Sequence, residues 1–188
     1  MLYLRDATWI EPATLAFERG HLEVGEGASG SCRTVRLVPP GARALDCSSR
    51  LVTRSFVIAH HHLYSSLALG MPPPTRRPRD FVDLLRRVWW KVDRAMDREL
   101  IFASALAGAV EAAKCGATFV IDHHSSPNAA AGSLEVIAEA LDEVGLSHLL
   151  CLELSDRDGA AARDEGLAAT ARHLRSRQGL VGLHASFT

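Results

Sequence analysis

Apolar residues recur along this chain with two different periods, and the change from one to the other divides it. Up to residue 53, short apolar or alternating runs predict strands at Leu2 to Leu4, Thr8 to Ile10, Leu15 to Phe17, His21 to Val24, Val35 to Val38 and Ala44 to Cys47. The segment Gly25-Glu26-Gly27-Ala28-Ser29-Gly30 and the run Pro39-Pro40-Gly41 separate some of them. Residues 1–53 therefore read as a small β module. From residue 54 onward, strands alternate with helices, the pattern of a parallel sheet built from βα units. Phe56 to Ala59 is the first strand. Phe81, Leu84, Leu85, Val88, Trp89 and Val92 then share one helical face, predicting a helix from about Asp80 to Ala95. Asp97 is placed to cap a second helix reaching Cys115, and Gly116 stands where a helix-ending glycine belongs. Next come a strand over Thr118–Ile121, a helix with Leu134, Ile137, Ala138 and Leu141 inward, and Gly145. A strand from His148 to Leu152, a helix from Ala160 to Arg175 and a strand from Leu180 to Leu183 complete the pattern.

Composition narrows the partners. With 188 residues, 47% hydrophobic, 23% charged and a net charge of -1, the chain matches an ordinary globular protein with no polyanion-binding surface, so no nucleic acid is expected. Arg76, Arg77 and Arg79 cluster in a Pro-rich stretch and read as a solvated loop. Cys32, Cys47, Cys115 and Cys151 stand apart and form no CxxC pair, which points to a reducing compartment. The start Met1-Leu2-Tyr3-Leu4-Arg5-Asp6 lacks a signal-peptide pattern, and no apolar run is long enough for a bilayer. A cytoplasmic protein without membrane contact is expected.

The chemistry gathers at strand ends. In the run Phe56-Val57-Ile58-Ala59-His60-His61-His62, strand alternation points His60 and His62 the same way and His61 the other. Two imidazoles so placed can reach one metal ion, and they have little packing rationale otherwise. The other strands end in Asp122-His123-His124, in Glu153 with Ser155, Asp156 and Arg157, and in His184 with Ser186. Parallel α/β folds collect their active sites at such ends. No GxGxxG follows any strand, so phosphate cradling has no support. His123 and His124 are candidates to hold a substrate or orient a metal ligand, or else to cap the helix near Ser133. Asp122 reads as a hydrogen-bond acceptor at a strand end. Arg157 is a candidate for an anionic group on a substrate, with Asp156 and Asp158 as alternative helix caps. His184 is a candidate for the substrate side.

The segments Ala59-His60-His61-His62-Leu63-Tyr64-Ser65 with Leu69-Gly70-Met71-Pro72, Ile121-Asp122-His123-His124-Ser125-Ser126-Pro127, Glu153-Leu154-Ser155-Asp156-Arg157-Asp158-Gly159 and Gly182-Leu183-His184-Ala185-Ser186-Phe187-Thr188, in this order, resemble the amidohydrolase superfamily. Within it they are similar to the SsnA-type aminohydrolases, neighbours of the chlorohydrolase, guanine deaminase and cytosine deaminase branch. The resemblance implies an N-terminal part of a composite β-sandwich followed by the first four βα units of a (β/α)8 barrel, with residues 54–188 forming that half-barrel. It implies that His60 and His62 bind one divalent metal, zinc first and iron second, and that His184 lies on the substrate side. No lysine stands on the fourth barrel strand, which favours the mononuclear branch. Arg54-Ser55 replaces the Pro-Gly usual before the His-x-His strand.

The implied reaction is hydrolysis of a non-peptide C–N bond, with deamination of a cyclic amidine or purine-like small molecule foremost. Ring-opening amide hydrolysis, dechlorination and a non-catalytic half-barrel that binds metal or a partner are the alternatives. A (β/α)8 barrel takes about 250 residues, so the third histidine ligand and the proton-shuttling Glu are expected downstream. The 188-residue chain alone is then expected to lack turnover. Its open strand edges would favour aggregation or self-association, with a homo-oligomer as one outcome.

Overall fold

The computed structural model describes residues 1–25 and 31–179 together with the backbone of 182–183. It divides into two compact units, Met1–Arg54 and Ser55–Thr188.

In the first unit, β1 (Leu2–Ile10) and β2 (Phe17–Val24) form an antiparallel hairpin, and β3 (Cys32–Val35) adds antiparallel to β2. The strands β4 (Ala44–Asp46) and β5 (Leu51–Val52) both pair parallel with β1. The two short strands expected at Leu2 to Leu4 and Thr8 to Ile10 are one strand with a bulge. Between Leu4 opposite Leu22 and Ala7 opposite Gly20, β1 carries one residue more than its partner. Asp6 absorbs it at φ 55°. The bulge puts Leu4 and Ala7 on one face despite their odd spacing, where Ala7, Leu22 and Cys47 form a small core with Leu4, Trp9 and Val52. Leu15, expected in a strand, lies instead in the turn at φ 58°. The third strand ends at Val35, opposite His21, instead of running from Val35 to Val38, and Leu37 is exposed.

The second unit holds a four-stranded sheet of β6 (Phe56–His61), β7 (Ala117–His124), β8 (Ser147–Leu154) and β9 (Gly182–Leu183), all parallel and in sequential order. A 3-10 turn over Leu63–Ala68 follows β6. The predicted helix after it is a helical arm: α1 (Phe81–Leu84), a π turn (Leu85–Trp89) and α2 (Trp90–Ala95). The arm does not bury the expected apolar face, since its two buried residues are Asp83 and Asp93 and Phe81 is 61% exposed.

The remaining helices are α3 (Arg98–Lys114), α4 (Ser133–Val144) and α5 (Ala160–Ser176). Asp97 caps α3 by accepting from the Leu100 N–H at 2.8 Å, and Gly116 and Gly145 end α3 and α4 with positive φ. Glycines, rather than histidine or aspartate side chains, precede α4 and α5. The core lies between the sheet and α3 and α4: Val120, Leu150 and Leu152 pack with Leu134, Ile137 and Leu141 and with Ile101, Ala105 and Ala109. Small residues along α3 let it approach the 3-10 turn, and a Cβ built on Gly108 would stand 2.6 Å from both Leu63 Cδ2 and Ser66 Oγ.

Two outcomes follow from this packing. Replacing Gly108 with Val overpacks the α3 contact and should destabilise the chain by about 1–3 kcal/mol in urea unfolding, outweighing any gain in helix propensity. His173 on α5 is buried, its Nδ1 lies 3.6 Å from Glu135 Oε1 and neither ring nitrogen makes a hydrogen bond among the described residues; burial lowers its pKa, against the raising effect of Glu135. The unfolded chain then binds the extra proton first, so stability is full above about pH 6.5 and falls as the pH drops below it. A urea midpoint that declines between pH 7.5 and 5.5, and declines less in His173→Leu, is the expected result.

Candidate metal centre and its cavity

The end of β6 brings His60 and His62 together with their Nε2 atoms 3.1 Å apart. His62 Nδ1 lies 2.8 Å from the main-chain oxygen of His123. A carbonyl only accepts, so Nδ1 carries the hydrogen and His62 Nε2 presents a lone pair. Its contact with His60 is then a hydrogen bond donated by His60 Nε2–H. A tetrahedral ion with Zn–N bonds of about 2.0–2.1 Å places two ligand nitrogens roughly 3.3 Å apart. The pair therefore fits a shared divalent metal, with the tautomer of one ligand already set. No third His, Cys, Asp or Glu joins them in metal-binding geometry among the described residues.

Two consecutive residues of β7 fix the turn that carries these histidines. Asp122 is buried and its Oδ1 accepts the Leu63 N–H at 2.7 Å. Burial pushes its carboxyl up to about 7, against the lowering effect of that N–H. His123, pointing to the other face, supplies the carbonyl for His62, and their rings meet edge-on at 5.5 Å. From α3, Ser104 Oγ donates to the Leu63 carbonyl at 2.8 Å and accepts the Leu67 N–H at 3.2 Å.

A cavity of about 600 Å³ opens beside the histidines. His60, His62 and His123 line one side, and Trp89 and Trp90 of the helical arm another. Arg157 also lines it, with its guanidinium surrounded by acids: Nη2 is 2.9 Å from Asp93 Oδ2 and 3.2 Å from Glu153 Oε1, and Nε is 2.9 Å from Asp158 Oδ2. Its charge is thus already balanced by carboxylates. Burial raises the Asp93 pKa, opposed by the adjacent Arg157 charge.

The structure brings together His60, His62, His123 and Arg157, but not His124. Alternation along β7 turns His124 away from the cavity into full burial, where Nε2 meets Ser126 Oγ at 2.8 Å and the ring stands edge-on to Tyr64 at 5.5 Å. Desolvation, with the neighbouring His123 and His62, lowers its pKa to about 3, so it is neutral near pH 7. His184 lies outside the described residues. Sequence reasoning missed Asp93 and Trp90. The available signal was a carboxylate four residues after Trp89 on the otherwise apolar face of the arm.

No family model matches the chain. It is 24% identical over 152 residues to a 5-methylthioadenosine/S-adenosylhomocysteine deaminase of Thermococcus sibiricus, covering 77% of this chain and 33% of that protein. It superposes on an amidohydrolase from a Sargasso Sea environmental sample with TM-score 0.63 and 21% identity, over 93% of this chain and 41% of that one. On the zinc complex of atrazine chlorohydrolase TrzN from Arthrobacter aurescens the TM-score is 0.72 at 14% identity, over 97% and 46%. The chain shares its fold with this amidohydrolase and with TrzN over the part of each that it covers. Guanine deaminase of E. coli shares the fold as well, with TM-score 0.68 at 15% identity over 96% of this chain and 46% of that one. The chain thus spans between a third and a half of the length of these amidohydrolases. Among the described residues, no helix is long and apolar enough to cross a membrane.

Asp122→Ala would strip a buried N–H of its acceptor beside the histidine pair. Chemical denaturation should show a loss of about 1–3 kcal/mol, and a loss under about 0.5 kcal/mol would mean that the turn does not depend on this carboxylate.

Proposed function

We propose that this chain is the metal-holding part of a hydrolase that acts on a non-peptide C–N bond of a small nitrogen-rich ring, by deamination of a cyclic amidine or purine-like compound. The observation that carries the reading is the 3.1 Å approach of the His60 and His62 Nε2 atoms, with the lone pair of His62 set by its bond to a main-chain oxygen. Similarity to deaminases, one of them named for guanine, supports deamination. Zinc in the TrzN complex supports zinc as the metal, with iron as the alternative. The unbroken order β6-β7-β8-β9 supports the first four βα units of a (β/α)8 barrel, since a doubly wound sheet reverses its strand order. Residues 1–53 are read as part of a β-sandwich and 54–188 as half of that barrel. Four free cysteines support a cytoplasmic setting.

In this reading His60 and His62 hold the divalent ion. When bound, the metal supplies Lewis acidity that makes water a nucleophile near neutral pH. His62 keeps its ring oriented by donating Nδ1–H to His123 O. His123 faces the substrate; His184, outside the described residues, is assigned to the substrate side by the resemblance alone. The indoles of Trp89 and Trp90, both lining the cavity, offer an apolar wall that takes up a planar ring and excludes water. A hydrolytic dechlorination is the second reading, favoured by the superposition on atrazine chlorohydrolase.

Metal binding tests the core of this proposal. Cobalt(II) titrated into the chain should give an absorbing complex, and His60→Ala and His62→Ala should each weaken binding by at least about tenfold. Equal binding by either variant would place the metal elsewhere and remove the basis for the reading.

A further inference from the structure

We infer that Arg157 is a positioning residue that holds the helical arm Phe81–Ala95, and with it the tryptophan wall, against the cavity of His60 and His62. The inference rests on the reading of that cavity as the substrate site, and it concerns the arm rather than the metal.

Apolar burial does not explain where the arm sits. Its buried residues are the acids Asp83 and Asp93, with Asp93 the more deeply buried, while Trp89 and Trp90 are only partly covered. Asp83 is engaged locally, with Arg87 one turn on at 2.7 Å and the Arg79 N–H at 3.1 Å. Asp93 is engaged at long range: its Oδ2 takes Arg157 Nη2 at 2.9 Å and Ser125 Oγ at 3.3 Å, from the loops after β8 and β7. The next residue of the arm repeats the connection, with Arg94 Nε 2.6 Å from Asp158 Oδ1 and the Arg94 carbonyl accepting from Asn128 Nδ2 at 2.9 Å.

Arg157 is the centre of this lattice. Its guanidinium lies 5.1 Å from the centroid of the Trp90 ring, so the group that grips Asp93 also backs one of the indoles. The fork geometry of arginine fixes direction as well as distance, and both Arg157 and Asp93 are nearly withdrawn from water, where an ion pair is little screened. The π turn ends at Trp89, immediately before Trp90, and such turns mark places where a helix is re-aimed. The position of the wall is therefore set by directional ionic contacts at one end of the arm.

The test uses the intact chain in a Trp9→Phe background, so that fluorescence reports Trp89 and Trp90 alone. Arg157→Met and Asp93→Asn should each raise acrylamide quenching by at least about twofold with the far-UV circular dichroism retained. Their double variant should exceed the larger single effect little, as expected for two ends of one contact. Arg157→Lys, keeping the charge without the fork, should fall between wild type and Arg157→Met. Unchanged quenching in Arg157→Met, or additive effects, would overturn the proposal. If Arg157→Met unfolds the chain, Asp158→Asn takes its place, and cooperative loss of the far-UV signal in both variants would also overturn it, because the contacts would then hold the whole fold. Cobalt retention measured on the same samples reports the histidine pair, so the arm and the metal reading can fail separately.

Discussion

Asp122 and His123, adjacent on one strand and facing opposite ways, are the constraint on which the site depends. Alternation sends the Asp122 carboxylate to the helix side of the sheet, where it takes the Leu63 N–H, and leaves the His123 carbonyl to take the imidazole of His62. The turn after β6 is thereby fastened on both sides of its first residue. Packing then builds on that fixed point: α3 adds Ser104 to the same turn and brings its glycine face against Leu63. A buried carboxylate is an expensive anchor in a low-dielectric interior, and its presence under the histidines shows how closely that turn is specified.

Much of the second unit was legible in the sequence. The strands near 56, 118 and 148 follow apolar runs and α4 follows a clear helical period, while α3 is marked by the Asp97 cap and the glycine at 116, as the glycine at 145 marks the end of α4. The first unit was read less well, because a single bulged residue at Asp6 shifts the phase of alternation and splits one strand into two in any period-two reading. The helical arm shows a different limit. Its apolar stripe predicts a helix correctly, yet periodicity cannot distinguish a face that meets a core from one that lines a cavity.

The histidine pair was visible from spacing alone, whereas its surroundings were not. Whether His123 or His124 faces the cavity depends on the phase of β7, which two adjacent identical residues do not reveal. Arg157 shows the same gap between residue type and role. A guanidinium at a strand end suggests an anion, and here the anions belong to Asp93, Glu153 and Asp158 of the same chain. The fold is shared with amidohydrolases at identities of 14–21%, where the backbone has outlasted most side chains. A shared sheet does not fix function, which lies in the local geometry of the site.

The partner that sets the tautomer of His62 is a main-chain oxygen. Every amino acid brings that oxygen, so substitution at position 123 can alter what faces the cavity while leaving the acceptor of the His62 Nδ1–H in place. The lining of the cavity and the orientation of the adjacent imidazole are thus separable at one residue. The side chain at this point can vary without disturbing the hydrogen bond that orients His62, because that bond belongs to the peptide backbone.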